Sequence, residues 1–320
     1  MLNFLKKKPL LIGVDISEST IRLVQLKKEK IKYQVIAFGA IDLQEFYGQD
    51  FSEIYDKLAY KLRSLFNQCK LPTNKPLDIV MSLRDDASIT KTIMIPNSMN
   101  AKELESHIIK EAEKYIPFSL IDSAMDYTSI AEVGDQTAIL LVATEHKFVK
   151  NLERIARLAK ANLIAVDVKR LAAEAIIRTY YNVIEPKHYI LGLDLDKKYT
   201  KISKVYTLGF PTYFQKINVK ESTGSDNPSP EEIFENTINI IKQSLKEKAD
   251  GTCDKILLFG PLVANKLEEK LQALLDIKIE LFNPANMMSS SQTVNSQLIQ
   301  QTGHHYVNAF GLALRNDSHE

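Results

Sequence analysis

The chain has 320 residues, 45% hydrophobic and 25% charged, an average globular composition that excludes intrinsic disorder, collagen and small stapled scaffolds and carries a prior of about two domains. Lys plus Arg number 41 against 40 Asp plus Glu, so there is no basic excess of the kind that displaces counterions from nucleic acid, and no nucleic-acid partner is expected. The longest apolar run, Ala138 to Ala143, is far short of the roughly 20 residues of a bilayer crossing, so neither a transmembrane segment nor a signal core is expected. Cys69 and Cys253 form no CxxC pair, which points to a reducing cytoplasm.

Residues 10–16, 20–27 and 31–42 are rich in β-branched and apolar residues between short polar breaks, which predicts three consecutive strands. Ile54, Leu58, Leu62, Leu65 and Phe66 recur at helical spacing until Leu71-Pro72, and LDIVMSL at 77–83 reads as a buried strand. The order is β-β-β-α-β. A strand at 88–95, a helix at 100–115 with Leu104, Ile108, Ala112 and Ile116 on one face, strands at 125–132 and 137–143, a helix at 145–160 and a strand at 163–168 follow. Their β-α-β-β-α-β order predicts an inserted α+β subdomain. A helix around Leu171 to Ile176 leads to Glu185-Pro186.

The opening pattern then returns. Strands are expected at 188–195, 199–207 and 210–219, then a polar loop over 221–229, a helix to about Ala249, a strand at 255–259, a helix at 262–275 and a strand at 277–282. Ser229-Pro230-Glu231-Glu232 carries a helix-start signature of N-cap serine, first-turn proline and a glutamate three residues after the serine. Residues 289–302 read as polar loop or short helix, and 306–315 as a closing helix.

Gly13-Val14-Asp15-Ile16 aligns with Gly192-Leu193-Asp194-Leu195, and the same offset pairs Arg22 with Lys201. Each copy is a strand ending in Gly-apolar-Asp, a polar turn and a second strand. Such a hairpin can present backbone N–H groups and a carboxylate to a phosphate and its metal ion. The bland alternative is a strand-ending Asp that only caps its turn in a duplicated scaffold. A third signal, Ile256-Leu257-Leu258-Phe259-Gly260, runs a buried strand into glycine, where a base or ribose can approach backbone.

The duplicated hairpins, the strand-glycine-helix near 260 and the insertion after the first half resemble the actin-like ATPase superfamily. Within it, the chain is similar to the PilM family of type IV pilus assembly proteins, relatives of the cell-division protein FtsA. The resemblance runs from about Leu10 to Arg315 and is carried by IGVDISESTIRLVQL (12–26), EKYIPFSLIDSAMDY (113–127), AVDVKRLAAEAI (165–176), ILLFGPLVANKLEEKL (256–271) and NAFGLALR (308–315). It implies an α/β, actin-like (ribonuclease H-like) two-lobe fold, divided here as 1–86 plus 168–186, an inserted 87–167 and a second lobe at 187–320. It also implies a cytoplasmic protein peripheral at the inner membrane. Such a protein would hold the cytoplasmic N-terminal tail of a PilN-like single-span partner and contact pilus motor ATPases.

Carried over residue by residue, the resemblance places ATP or ADP with Mg²⁺ against Asp15, Ser17, Ser19, Arg22, Asp194, Asp196, Thr200 and Gly260, with Asp15 and Asp194 as metal ligands. It places the partner groove at Ser82, Leu83, Arg84, Ile164, Val166 and Leu171. The pattern is broken where it matters for nucleotide. Family hairpins carry Asp-x-Gly; here those glycines are Ser17 and Asp196, the paired glycines after the second-half strands are reduced to Gly224, and Pro261 replaces a glycine. Asp194, Asp196 and Thr200 either coordinate metal or mark a hairpin that has lost its ligand. The departures favour an adaptor with degenerate ATP binding over an active ATPase or small-molecule kinase, with an FtsA-like filament former as a further alternative. His107 with Glu111 reads as a surface pair rather than a metal site, and Phe4-Leu5-Lys6-Lys7-Lys8 as a lead-in to the first strand.

Overall fold

A computed structural model describes residues 12–30, 32–46, 53–84, 87–181, 188–197, 199–206, 213–225, 227–246, 251–263 and 266–315. The lead-in Phe4 to Lys8 and the boundary at Glu185-Pro186 lie outside the described residues.

The first half opens with strands β1 (Ile12–Ile16), β2 (Thr20–Glu29) and β3 (Lys32–Asp42), helix α1 (Tyr55–Gln68) and strand β4 (Leu77–Leu83). Tyr55, Leu58, Ala59, Leu62, Leu65 and Phe66 give α1 one buried face. Lys70 in the left-handed conformation (φ 54°) turns the chain out of it. Next come β5 (Ile89–Pro96), α2 (Ala101–Ala112), β6 (Ser123–Val133), β7 (Gln136–Glu145), α3 (His146–Leu158), β8 (Ala161–Val168) and α4 (Lys169–Tyr180).

The second half repeats the opening with β9 (His188–Leu195), β10 (Tyr199–Tyr206) and β11 (Tyr213–Asn218). Part of the expected polar loop is a short helix, α5 (Val219–Thr223), because Asn218 caps its start and Gly224 at φ 76° closes it. The long α6 (Pro230–Lys246) begins with the expected capping box: the Ser229 N–H donates to Glu232 Oε2 at 2.6 Å and the Glu232 N–H to Ser229 Oγ at 3.2 Å. Strand β12 (Thr252–Phe259), helix α7 (Leu267–Gln272) and strand β13 (Lys278–Leu281) follow. Helix α7 is shorter than the expected 262–275 because Lys266 is left-handed at φ 64° and delays its start. The polar stretch 289–302 holds β14 (Ser289–Ser290) and α8 (Ser296–Thr302), and α9 (Val307–Leu314) closes the chain.

Three sheets form among the described residues. The first has the order β14-β3-β2-β1-β4-β8, the second β11-β10-β9-β12-β13, and the third β5-β7-β6. Omitting β14, the first two share one plan: antiparallel pairs outward from the central strand on one side, parallel pairs on the other. This corrects the inserted subdomain. Strand β8 pairs with β4 through Met81↔Val166 and Ser82↔Asp167, and Leu152, Ile155 and Ala156 of α3 join Leu58, Leu62 and Leu65 of α1 in one core. By pairing and packing, α3 and β8 therefore belong with the first sheet. The insertion is β5, α2, β6 and β7, whose core sets Ile108, Ala112 and Ile116 against Ile93, Ile95, Ile139 and Leu141.

Between the two large sheets lie α4 and α9. Their apolar faces form a shared core with both halves: Val24, Leu26 and Val35 from the first sheet, Ile190, Val205 and Phe259 from the second, Ile176 and Ile177 from α4, Phe310 and Ala313 from α9. The repeat explains the glycines. A Cβ on Gly13 would overlap the Ala309 carbonyl of α9 and fall 2.6 Å from Ala313 N, while a Cβ on the equivalent Gly192 would press on Ile177 of α4 at 3.3 Å. The two helices meet where a Cβ on Gly311 would overlap the Ala172 carbonyl. Replacement Gly311→Val is expected to cost about 3 kcal/mol or to prevent folding, since rigid backbone cannot yield to the added methyls. The comparison Gly134→Asn, at an open turn with no atom within 4 Å of the added Cβ, should stay within about 1 kcal/mol in chemical denaturation.

Candidate functional site

The β1–β2 hairpin carries Asp15 on its buried central strand, opposite Arg22 in the ladder. Asp15 Oδ1 accepts from Lys169 Nζ at 2.9 Å and from Ser82 Oγ at 3.1 Å. Lys169 is the first residue of α4, so the β8–α4 junction delivers an ammonium to the end of β1. Burial by itself would raise the Asp15 pKa, but Lys169, then Arg22 and Lys201, overrule it and hold the carboxyl below its ordinary range. The turn is closed on itself. The Ser17 N–H donates to the Thr20 carbonyl at 2.9 Å, and the Thr20 N–H donates to Ser17 Oγ at 3.2 Å. Ser17 and Ser19 are buried.

The β9–β10 hairpin repeats the arrangement with a different source of charge. Asp194 faces Lys201 in the ladder, and Lys201 Nζ lies 3.4 Å from Asp194 Oδ2 and 3.8 Å from Asp196 Oδ2. Asn308 of α9 donates to Asp194 Oδ2 at 3.4 Å. Thr200 is buried opposite Leu195. In the turn, the Asp196 N–H donates to the Tyr199 carbonyl at 3.2 Å and the Lys197 N–H to Asp196 Oδ1 at 2.8 Å.

Gly260 at φ 103° follows β12 and packs directly on this hairpin: a Cβ there would fall 2.6 Å from the Leu195 carbonyl and 2.7 Å from Asp194 Oδ1. Its N–H donates to the His304 carbonyl at 2.9 Å. The structure thus gathers Asp194, Asp196, Thr200 and Gly260 at one place and Asp15, Ser17, Ser19 and Arg22 at another, with the electrostatic reach of Lys201 to Asp15 linking the two.

The donor set does not fit magnesium. Mg²⁺ takes near-octahedral oxygen ligands at 2.0–2.1 Å, and here an ammonium already sits against each of the two aspartates proposed as ligands. Among the described residues no three His, Cys, Asp or Glu side chains are grouped to hold an ion. Asp15 and Asp194, expected as metal ligands, each face a lysine ammonium here. What sequence reasoning missed was Lys169, Ser82 as a partner of Asp15, and Asn308; only Lys201 carried a signal, through its alignment with Arg22.

The six expected groove residues divide. Ser82 is turned inward to Asp15 and Leu83 is buried in the first core, so neither offers a side chain to the surface. Arg84, Val166 and Leu171 are half-buried and Ile164 is 53% exposed. Ile164 is the bulged residue of β8, skipped between Ile79↔Leu163 and Val80↔Ala165, and β8 is the edge of its sheet. Beside this edge Arg170 donates to Glu174 Oε1 and to Thr90 Oγ1, both at 2.9 Å, and stacks 5.1 Å from the Phe214 ring centre. The first turn of α4 thereby joins the inserted sheet to the second lobe.

Two equivalent sheets, each presenting an aspartate hairpin toward a central helix pair, with a small α+β insertion in the first, define the actin-like ATPase fold. Residues 13–191 match the family model of type IV pilus assembly protein PilM, more than half of the chain, and the chain belongs to that family. It is 20% identical to a chain of a "PilM-PilN type IV pilus biogenesis complex", covering 96% of this chain and 98% of that one with a TM-score of 0.77. Ethanolamine utilization protein EutJ from Carboxydothermus hydrogenoformans is 12% identical over 96% and 89%, TM-score 0.50. Inorganic polyphosphate/ATP-glucomannokinase from Arthrobacter sp. strain KM is 8% identical over 98% and 100%, TM-score 0.50. At these identities the three structures speak for the fold.

His304 and His305, beside Gly260, stack edge to face with ring centres 4.2 Å apart. Burial lowers both pKa values to about 4, His304 and Arg22 adding to the effect at His305. Their native forms are neutral, whereas the unfolded chain protonates near the ordinary histidine value. Their contribution to stability is therefore complete above pH 6.5 and is lost as pH falls toward 4. The thermal midpoint should fall across this window, and the fall should be shallower in a His304→Asn, His305→Asn double variant followed by circular dichroism.

Proposed function

We propose that the protein is an adaptor of the type IV pilus assembly platform, holding the cytoplasmic N-terminal tail of a PilN-like single-span membrane protein at the junction of β8, the start of α4 and the inserted sheet. The observation that carries this reading is the edge strand β8, which presents exposed Ile164 beside half-buried Val166 and Leu171. An extended peptide adds to such an edge through main-chain hydrogen bonds and seats alternate apolar side chains against it. Family membership and the relative solved with PilN support the choice of partner. No helix among the described residues is long and apolar enough to cross a membrane. In this proposal the chain reaches the inner membrane from its cytoplasmic side through the partner, and the motor ATPases of the pilus are reached from the same platform.

The kinase or ATPase alternative gains nothing from the two hairpins, where the carboxylates an enzyme would turn to metal face lysines. Likewise, degenerate nucleotide binding is the most this donor set would support.

A tail peptide of the PilN homologue encoded in the same genome is expected to bind the full chain with micromolar affinity by calorimetry. Ile164→Asp should weaken it about 10-fold or more, the loss of roughly one buried aliphatic side chain, with an unchanged thermal midpoint because the residue lies outside the core. Absence of binding at high peptide concentration, or equal binding by the variant, would overturn the proposal.

A further inference from the structure

We infer that Lys169 and Lys201 are built-in counterions of the two hairpin aspartates, occupying the position where such hairpins offer carboxylates to a metal-bound phosphate. The lobes are then held in their relative arrangement without nucleotide. Each pair is buried on both sides, at 6% and 4% side-chain exposure for Lys169 and Asp15 and 7% and 10% for Lys201 and Asp194.

Helix polarity argues that Lys169 is there for Asp15. A cation in the first turn of a helix opposes the macrodipole, and α4 begins with two, Lys169 and Arg170, and no acidic residue. Burying an ammonium is costly unless it is paired and hydrogen-bonded, and Asp15 with its Ser82 donor is the partner the structure supplies. Lys201 serves two carboxylates, Asp194 and Asp196, which accounts for the acidic residue standing at a phosphate-hairpin glycine position. The carboxylate that would repel a phosphate is instead part of an internal ion cluster.

The charge balance leads to the same conclusion. Asp15, Asp194 and Asp196 face Arg22, Lys169 and Lys201, so these three carboxylates are matched one for one by cations of the fold and need no metal ion to balance them. The backbone is equally committed. Ser17, Thr20, Asp196 and Lys197 each use their N–H within their own turn, and the space at Gly260 is filled by Asp194 and Leu195.

The test uses the full chain. Millimolar Mg²⁺·ATP or Mg²⁺·ADP should leave the thermal midpoint unmoved, since a ligand that binds only the native state raises it. A rise of several degrees that Asp194→Asn abolishes would overturn the inference. In a second arm, Lys169→Met, Asp15→Asn and the double variant are compared by denaturant unfolding. The double variant is expected to retain an unfolding constant at least about 10-fold more favourable than the product of the single effects predicts, because each single change strands a buried partner. Strict additivity would overturn the pairing. If a single variant does not fold, a folded double variant supports it, and the cycle of Lys201→Met with Asp194→Asn gives the same readout at the second hairpin.

Discussion

Helices α4 and α9 cross with no side chain between the Ala172 carbonyl and Gly311, and the arrangement of the two lobes depends on this contact. Both helices lie between sheets that each bury an apolar face, so their separation sets the distance between the sheets. Glycines on the central strands, Gly13 against α9 and Gly192 against α4, let each helix settle onto the sheet it covers. A close approach of this kind gains dispersion contacts along the whole crossing. The same approach fixes the hairpins, because Asp15 and Asp194 each lie two residues beyond one of these glycines.

The helix pair also brings charge to the strand ends. Lys169 enters from the first residue of α4 and Asn308 from the first turn of α9, so the elements that join the lobes also supply polar partners to both hairpins. Its neighbour Arg170 reaches the inserted sheet through Thr90 and stacks on Phe214 of the second lobe. Three consecutive residues of α4 therefore face three places: Lys169 the first hairpin, Arg170 the insertion and second lobe, and Leu171 the expected partner groove.

Much of the fold was legible locally. The three-strand openings, the face of α1 and the capping box at Ser229 follow from periodicity and end signals that act within a few residues. The allegiance of α3 and β8 was not legible. A β-α-β-β-α-β order is equally consistent with one inserted subdomain and with a returned edge strand, and only the ladder between Met81 and Val166 separates them. The delayed start of α7 was hidden for a related reason: nothing in the sequence around Lys266 announces a left-handed residue, and tertiary packing decided it.

For the site, the near-neutral composition of 41 basic against 40 acidic residues excluded only charge-driven partners. The repeated Gly-apolar-Asp hairpins by themselves specified a duplicated plan with two matched carboxylates, and the departures at Ser17, Asp196 and Pro261 from the pattern of the family the chain resembles spoke against nucleotide chemistry. Sequence determines these because strand pattern and turn residues are local. Which cation each carboxylate keeps was decided by tertiary structure alone. Asp15 and Lys169 are distant in the chain and meet only because β8 returns to the first sheet on the far side of β4 and starts α4 where Lys169 reaches the Asp15 carboxylate, a long-range pairing that leaves no period in the sequence.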